Sequence, residues 1–378
     1  MPALPDFNLE TYLSKWEFTA KYHMTASDAE SMSLADLLQL GTDKQRDDFH
    51  NLWLGYTQTF GDPELRQIIA HLYSGLNAKD ILCFAGAAEG IYIAMHVLLS
   101  KDDHAIIITP NYQSAETIPL SICEVTGVAL DANDHWSLDI DRLRSEIRPN
   151  TKLISINFPH NPTGKILEKD RFDALIELCR EHGIWLFSDE VYRGLNSNQS
   201  QKLPAVAEVY EKGLSVAVTS KALGLPGLRI GWIACQDSAV ISQMERMKHY
   251  ISICNSAPSE SLTKIALQNS DLILARNNAL IANNLNHLDE FFGEFADLFE
   301  WYRPDGGCIG YPKYKGAEGV ETFTQKLVEE VGVLLLPASI YRSELNPTPD
   351  NRFRIGFGRS NIEVGIAVMR AYLRKNAA

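Results

Sequence analysis

The sequence lacks the residue spacings that mark several large classes of protein. It has no CxxC pair, no HExxH, GxGxxG or GxSxG pattern, and no apolar run long enough to cross a membrane. These absences argue against a metal site, a nicotinamide Rossmann fold, an α/β-hydrolase and a membrane protein. Only six cysteines occur in 378 residues, widely scattered and mostly in apolar surroundings. We therefore expect reduced core thiols and no disulfide framework.

The chain also has fewer basic than acidic residues. The 35 Lys and Arg residues against 48 Asp and Glu leave a formal charge of -13, which argues against a nucleic-acid surface but allows a local basic pocket for an anionic ligand. The N-terminal MPALPDFNLE has neither the basic nor the apolar region of a secretory signal, so we expect a cytoplasmic protein. With 45% hydrophobic and 22% charged residues, the chain is long enough for a large core and a second, smaller one.

The most informative stretch is SVAVTSKALGLPGLRIGW, residues 215–232. Its apolar run predicts a buried strand that ends just before Lys221, and ligands of α/β sheets gather at the carboxyl ends of strands. A solvated loop lysine is the simpler alternative. However, no carboxylate lies between Ser215 and Cys235, so desolvation and the charge of Arg229 are expected to lower the pKa of Lys221. Such an amine can form a Schiff base.

Other predicted strands end in polar or glycine-rich turns. Gly86 precedes a predicted helix whose first N–H groups could bind phosphate, although many such turns are only tight connections. Tyr112 follows the strand HAIIITP, Asn161 stands in HNPTG after LISINF, and Asp189 follows GIWLFS. Each could instead be an ordinary turn or capping residue. The repeated strand and helix units predict an α/β fold with a mostly parallel sheet and helices on both faces.

Two further candidates lie outside these turns. In RFRIGFGR the side chain of Arg354 shares a strand face with glycines, which leave room for a ligand; an exposed strand arginine is the alternative. Tyr56 belongs to WLGYTQTFGDPELR, where a core or interface aromatic would be the simpler interpretation.

Taken together, these elements resemble pyridoxal-phosphate-dependent aminotransferases of class I/II, fold type I, the aspartate aminotransferase fold. The resemblance covers nearly the whole chain. It implies a large domain with a mostly parallel, seven-stranded sheet covered by helices, and a smaller α+β domain. The implied divisions are an N-terminal arm over residues 1–46, a large cofactor-binding domain over 47–259 and a small domain over 260–378. The matching residues, in order, are Tyr56, Gly86, Tyr112, Asn161, Asp189, Tyr192, Lys221, Arg229 and Arg354.

The resemblance also implies roles for the residues around the cofactor ring. Lys221 would bind pyridoxal 5'-phosphate covalently and then move the substrate's α-proton. Asp189 would keep the ring nitrogen protonated, Asn161 and Tyr192 would contact the phenolic oxygen, and Tyr112 would stack on the ring.

Phosphate and carboxylate groups have implied partners as well. The phosphate ligands would be Gly86, Ala87, Ala88, Ser220 and Arg229. Tyr56 would reach the phosphate of a neighbouring subunit, which implies a homodimer with shared active sites, and Arg354 would clamp the substrate α-carboxylate. Many relatives have a phosphate-binding Ser or Thr where this chain has Val218, so phosphate binding is expected to be weaker or to use other donors. The family's arm crosses the pocket mouth, which implies substrate contacts at residues 30–32.

The implied activity is transfer of an amino group from an α-amino acid to a 2-oxo acid, with small-molecule partners and neither nucleic acid nor membrane. The same residues would serve a lyase or cyclase of this fold, such as a carbon–sulfur lyase or a capreomycidine-synthase-like enzyme. A non-catalytic binding or regulatory protein is a third possibility, against which the retention of Lys221, Asp189 and Arg354 argues. The sequence does not specify the amino donor or the acceptor.

Overall fold

The computed structural model describes residues 4–196 and 202–376. The N-terminal elements are α1 (Asn8–Trp16), β1 (Tyr22–His23), α2 (Leu34–Leu40), α3 (Asp43–His50) and α4 (Pro63–Ala70). Side-chain caps fix where these helices begin. The Ser33 hydroxyl accepts a hydrogen bond from the Asp36 N–H at 3.1 Å at the start of α2. Asp62 caps α4, whose first residue is Pro63.

A seven-stranded sheet forms the centre of the molecule. Its strands are β2 (Ile81–Phe84), β3 (His104–Thr109), β4 (Glu124–Ala129), β5 (Thr151–Asn157), β6 (Trp185–Asp189), β7 (Gly213–Val218) and β8 (Gly231–Cys235). Their spatial order is β2-β8-β7-β6-β5-β3-β4, and every pairing is parallel except the two made by β8. The predicted mostly parallel α/β sheet is therefore confirmed.

Helices cover both faces of this sheet. They are α5 (Ala87–Leu98), α6 (Ser114–Leu120), α7 (Ile140–Ser145), α8 (Lys169–His182), α9 (Val206–Val209), α10 (Ser238–Lys248) and α11 (Ala257–Gln268). Alternate residues of β3 divide between the two faces, because Ile107 packs with α5 while Ile106 and Ile108 pack with α8. Within residues 4–196 and 202–376, no helix is both long and apolar enough to span a bilayer.

The C-terminal part is a smaller α+β unit. Its elements are α12 (Ser270–Glu294), β9 (Phe299–Glu300), β10 (Ile309–Gly310), β11 (Lys313–Tyr314), α13 (Val320–Lys326), β12 (Val333–Leu334), β13 (Leu336–Pro337), β14 (Phe353–Gly356) and α14 (Ile362–Asn376). Strand β14 pairs antiparallel with β10 and β13, while β1 of the arm pairs in parallel with β12. The domain boundaries at residues 46 and 259 stay predictions.

Candidate active site

A cavity of about 470 Å³ lies at the carboxyl ends of β5, β6 and β7, beside the start of α5. Side chains from the arm and from β14 close its other walls. The structure brings together all but two of the predicted site residues here, namely Ala87, Ala88, Tyr112, Asn161, Asp189, Tyr192, Ser220, Lys221, Arg229 and Arg354. Their individual roles stay predictions.

Lys221 follows β7, every residue of which is buried. Its Nζ lies 2.8 Å from Ser27 Oγ, a partner 194 residues away in the arm. Desolvation lowers the pKa of Lys221 from its ordinary value; the Asp28 carboxylate opposes this shift, and the Arg354 guanidinium adds to it. The sequence predicted a like charge from Arg229, and that contribution stays a prediction. In the structure Arg354 supplies a like charge, because β14 places its guanidinium in the same cavity.

The arm reaches Lys221 because three glycines let its backbone pass. A Cβ at Gly356 would overlap the Ala26 carbonyl, and one at Gly224 would overlap the Glu30 carbonyl. A Cβ at Gly358 would likewise overlap the carbonyl of Asp28. The glycines beside Arg354 were expected to leave room for a ligand, but the structure fills that space with arm backbone.

Asp189 ends β6 and points into the cavity. Its Oδ1 accepts a hydrogen bond from the Val191 N–H at 3.1 Å. Burial raises the pKa of Asp189 to about 6, a shift that this hydrogen bond and the Lys221 charge only partly oppose. A buried carboxylate in this position favours a cationic partner, such as a protonated ring nitrogen.

We expect the cofactor-free Asp189→Asn variant to be more stable than the cofactor-free wild type at pH 7.5, on the order of 2 kcal/mol. Because the folded-state pKa of Asp189 is raised, the protonated carboxyl group is the form that favours the folded state. This contribution to stability is complete below pH ~4 and is lost as the pH rises through about 6. The always-neutral asparagine avoids that loss. Urea unfolding from pH 4 to 8 measures the difference, which we expect to vanish near pH 4. The exposed Asp141→Asn serves as the control, and a pH-independent Asp189 difference would contradict the assignment.

Asn161 and Arg354 belong to one buried network. The Tyr341 hydroxyl donates to Asn161 Oδ1 at 3.0 Å, and Arg354 Nη1 lies 3.4 Å from the same oxygen. With its oxygen occupied, the Asn161 amide presents its N–H groups to the cavity. The Asn157 side chain accepts from the Asn161 backbone at 2.8 Å and holds the residue in place. Tyr341, which no sequence motif marks, therefore orients both predicted ligands.

Arg354 is 1% exposed and forms no ion pair with any residue of the described ranges. Its Nη1 donates to the Tyr341 hydroxyl at 2.6 Å and its Nη2 to the Thr25 carbonyl at 2.8 Å, while Nε has no partner among the described residues. A buried cation without a counter-ion is costly. The arrangement suits a carboxylate that enters with the substrate.

The two aromatic candidates occupy different walls of the cavity. Tyr192 is 2% exposed, and burial raises the pKa of its hydroxyl well above the ordinary value. The Tyr112 hydroxyl lies 3.4 Å from Glu10 Oε1, and the Tyr112 ring packs 5.1 Å from that of Phe7. Helix α1 of the arm thus rests against Tyr112.

The end of the cavity beside α5 has unsatisfied hydrogen-bond donors. Within the described ranges no N-cap side chain hydrogen-bonds to the start of α5, whose first residues Ala87 and Ala88 line the cavity and offer free backbone N–H groups there. The Ser220 hydroxyl is buried without a hydrogen-bond partner among the described residues. By contrast, Thr219 directs its hydroxyl to the Ile230 carbonyl at 3.0 Å, and Val218 contributes only apolar surface. Ser220 is thus the available hydroxyl, and its role as a phosphate ligand stays a prediction.

Gly86 does not line the cavity itself but permits the approach of Arg229. Its φ of +97° belongs to a region that only glycine adopts without strain, and a Cβ there would overlap the Arg229 guanidinium. The small residue therefore lets a cation lie beside the start of α5.

A second glycine supports this turn from beneath. We expect Gly231→Ala to weaken pyridoxal-phosphate binding at least about tenfold, because its Cβ would lie 2.8 Å from both the Ala87 N and the Gly86 carbonyl carbon. These are backbone atoms, so the turn before α5 itself must shift. Gly227→Ala, whose Cβ meets nothing within 4 Å, is the matched control. Cofactor titration followed by absorbance measures both constants, and equal affinities would refute the idea.

Some predicted contacts are not made within this chain. Tyr56 is 91% exposed and lies outside the cavity, so its role toward a neighbouring subunit stays a prediction. Residues 30–32 do not line the cavity; residues 25–28 do, from an earlier position in the arm. Glu10, Glu17 and His23 also line the cavity, and they were not predicted because no local motif marks them.

Comparison with known proteins identifies the family. The model for "Aminotransferase class I and II" matches residues 35–370. The chain belongs to this family. Its members use pyridoxal 5'-phosphate, and the uncapped α5, the unpartnered Ser220 hydroxyl and the Asn161 amide fit that cofactor. Bound there, the cofactor supplies a ring that withdraws electrons from the substrate α-carbon.

Relatives within the family differ in activity. A pyridoxal-phosphate-dependent aminotransferase from Streptococcus suis 89-1591 superposes with a TM-score of 0.92, at 30% identity over 99% of both chains. Capreomycidine synthase of Streptomyces vinaceus is 25% identical over 99% of this chain and 95% of its own length. An aspartate aminotransferase of Sulfurisphaera tokodaii is 26% identical over 84% of this chain and 82% of its own. Membership of the family therefore establishes a pyridoxal-phosphate-dependent enzyme of this fold, and both amino transfer and cyclisation occur among its relatives.

Proposed function

We propose that this enzyme transfers an amino group from an α-amino acid to a 2-oxo acid. The observation that carries the proposal is the pairing of Lys221 with Arg354 in one cavity: an amine with a lowered pKa beside a buried cation that has no ion pair within the described residues. Arg354 binds the α-carboxylate, which orients the α-carbon toward Lys221. Lys221 takes the α-proton at its Nζ and, once protonated there, can act as the acid that gives it up again.

The arm contributes to this step. Ser27 Oγ, 2.8 Å from Lys221 Nζ, holds the amine in place, while Asp28 lies close enough to oppose the lowering of its pKa. Tyr192 and the Asn161 amide supply hydrogen bonds to the cofactor's phenolic oxygen. Asp189 keeps the ring nitrogen protonated.

Absorption spectroscopy tests the proposal. We expect the holoenzyme to lose its visible cofactor band when one class of amino acid is added and to regain it when a 2-oxo acid follows. Bleaching that no 2-oxo acid reverses, or a protein that binds no cofactor, would contradict amino transfer.

A cyclase or lyase is the second candidate, favoured by the match to capreomycidine synthase along nearly the whole chain. Removal of the α-proton by Lys221 begins both reactions, so the same residues serve either. Turnover without any 2-oxo acid, with release of a cyclised or cleaved product, would establish this alternative.

We further propose a cytoplasmic homodimer. Trp53, Leu54 and Tyr56 are 86%, 78% and 91% exposed, and Tyr250 in an adjoining segment is 88% exposed. A hydrogen bond of 2.8 Å from Thr57 to the Asn255 carbonyl joins the two segments into one apolar patch. Analytical ultracentrifugation measures the mass, and a monomer at micromolar concentration would contradict the dimer.

A further inference from the structure

Three polar side chains of the cavity take no part in the proposed reaction. Glu10 belongs to α1 and Glu17 follows its last residue, about two helical turns further along; Leu9 and Leu13 lie beside them, and all four line the cavity. His23 stands next to Glu17, with 3.8 Å between its Nε2 and Glu17 Oε1. This acidic wall, defined as Glu10, Glu17 and His23, faces whatever the substrate carries beyond its α-carbon.

His23 adds a hydrogen-bond acceptor to the acidic wall. Neither of its ring nitrogens hydrogen-bonds to a described residue. Burial lowers the pKa of His23, and the charge of Arg359 lowers it further. A neutral imidazole has one nitrogen that accepts a hydrogen bond. All three members of the acidic wall thus accept hydrogen bonds from a donor-rich group.

The arginines that line the cavity already have a carboxylate partner or an assigned ligand. Arg359 Nη2 lies 2.9 Å from Asp28 Oδ2, and Asp28 is only 6% exposed. An acidic substrate side chain would have to take Arg359 from Asp28 and leave a buried carboxylate unpaired, which is strongly unfavourable. Arg354 and Arg229 are assigned to the α-carboxylate and the phosphate. The cavity therefore disfavours dicarboxylic amino acids.

Two buried groups, independent of the acidic wall, mark the cavity as a ligand site. Arg354 Nε and Ser220 Oγ have no partners in the described part of the chain, and their residues are 1% and 7% exposed. One suits a carboxylate and the other a phosphate. Arg354 and Ser220 can thus bind the anionic groups of substrate and cofactor. The acidic wall is then free to contact the substrate side chain.

We propose that the substrate is an α-amino acid with a cationic side chain, an ammonium or a guanidinium, bound by Glu10 and Glu17 with His23 accepting a further hydrogen bond. The inference rests on the proposed function, because it assumes that Arg354 holds the α-carboxylate. It deepens that function by giving the enzyme a charge preference.

Pairs of substrates matched in shape but not in charge test the proposal. We expect kcat/KM for lysine over norleucine, or for arginine over citrulline, to exceed about 10. For the pair that shows the larger kcat/KM ratio, Glu17→Gln is expected to lower that ratio about tenfold. Glu10 is more exposed, so Glu10→Gln is expected to lower it about threefold. Asp6→Asn removes an exposed carboxylate from the same arm outside the cavity, and we expect the ratio to stay as in the wild type.

A measurement on the unaltered enzyme complements the variants. We expect the wild-type ratio to fall as ionic strength rises from about 0.05 to about 0.5 M, because salt screens the partly exposed carboxylates. Norleucine, citrulline or aspartate reacting as fast as lysine and arginine would overturn the charge preference while leaving amino transfer intact. If no amino acid bleaches the cofactor band, the proposed function fails as well, so the two failures are distinguishable.

Discussion

Lys221→Ala is expected to lower the rate of amino transfer by about 10⁴-fold. The variant loses the amine that binds the cofactor and the base that takes the α-proton. We expect the fold to persist, because the pKa of Lys221 is lowered mainly by desolvation and removal of the amine relieves that cost. Single-turnover kinetics with the reconstituted protein measures the loss.

Two further variants separate chemistry from charge. Lys221→Arg retains a cation but not a base, since a guanidinium stays protonated, so we expect it to be as inactive as the alanine variant. Lys152→Ala removes an exposed lysine from β5 of the same sheet and is expected to keep full activity. Substantial activity in Lys221→Arg would show that proton transfer depends on another group.

Arg354→Gln is expected to lower kcat/KM for α-amino acids by about 10²- to 10³-fold. The variant removes the buried guanidinium that is placed to receive the α-carboxylate, and the 2.6 Å hydrogen bond to Tyr341 goes with it. An amine that lacks the carboxylate gains nothing from Arg354, so we expect wild type and variant to process it at similar rates. Steady-state kinetics with both kinds of substrate provides the comparison.

Arg342→Gln is the matched control for this variant. Arg342 is exposed, follows Tyr341 in sequence and does not line the cavity, so its loss is expected to leave kcat/KM unchanged. An equal loss for the amine and the amino acid in Arg354→Gln would contradict carboxylate binding and point to a structural role.

Local sequence patterns were sufficient to predict the sheet and the residues at its strand ends. The buried run before Lys221 and the turns that carry Asn161 and Asp189 follow from short-range patterning, because a strand must end where its apolar run stops. Parallel strands then bring these ends to one edge without any further information.

The arm could not be predicted in the same way. Ser27 and Asp28 reach Lys221 across about half the chain, and the space for their backbone depends on glycines in two distant segments. Tyr341 likewise joins Asn161 across 180 residues. Such contacts arise from tertiary packing, which neither periodicity nor a motif encodes. The acidic wall likewise depends on how the arm packs against the rest of the chain.

The fate of the substrate nitrogen distinguishes amino transfer from the lyase and cyclase reactions. We would incubate the holoenzyme with ¹⁵N-labelled amino donors and an unlabelled 2-oxo acid, and follow the isotope by mass spectrometry. We expect ¹⁵N in the amino acid formed from the 2-oxo acid, with no transfer by Lys221→Ala. Release of the label as ammonia, or its retention in a cyclised product, would contradict amino transfer and assign the chain to the lyase or cyclase branch of its family.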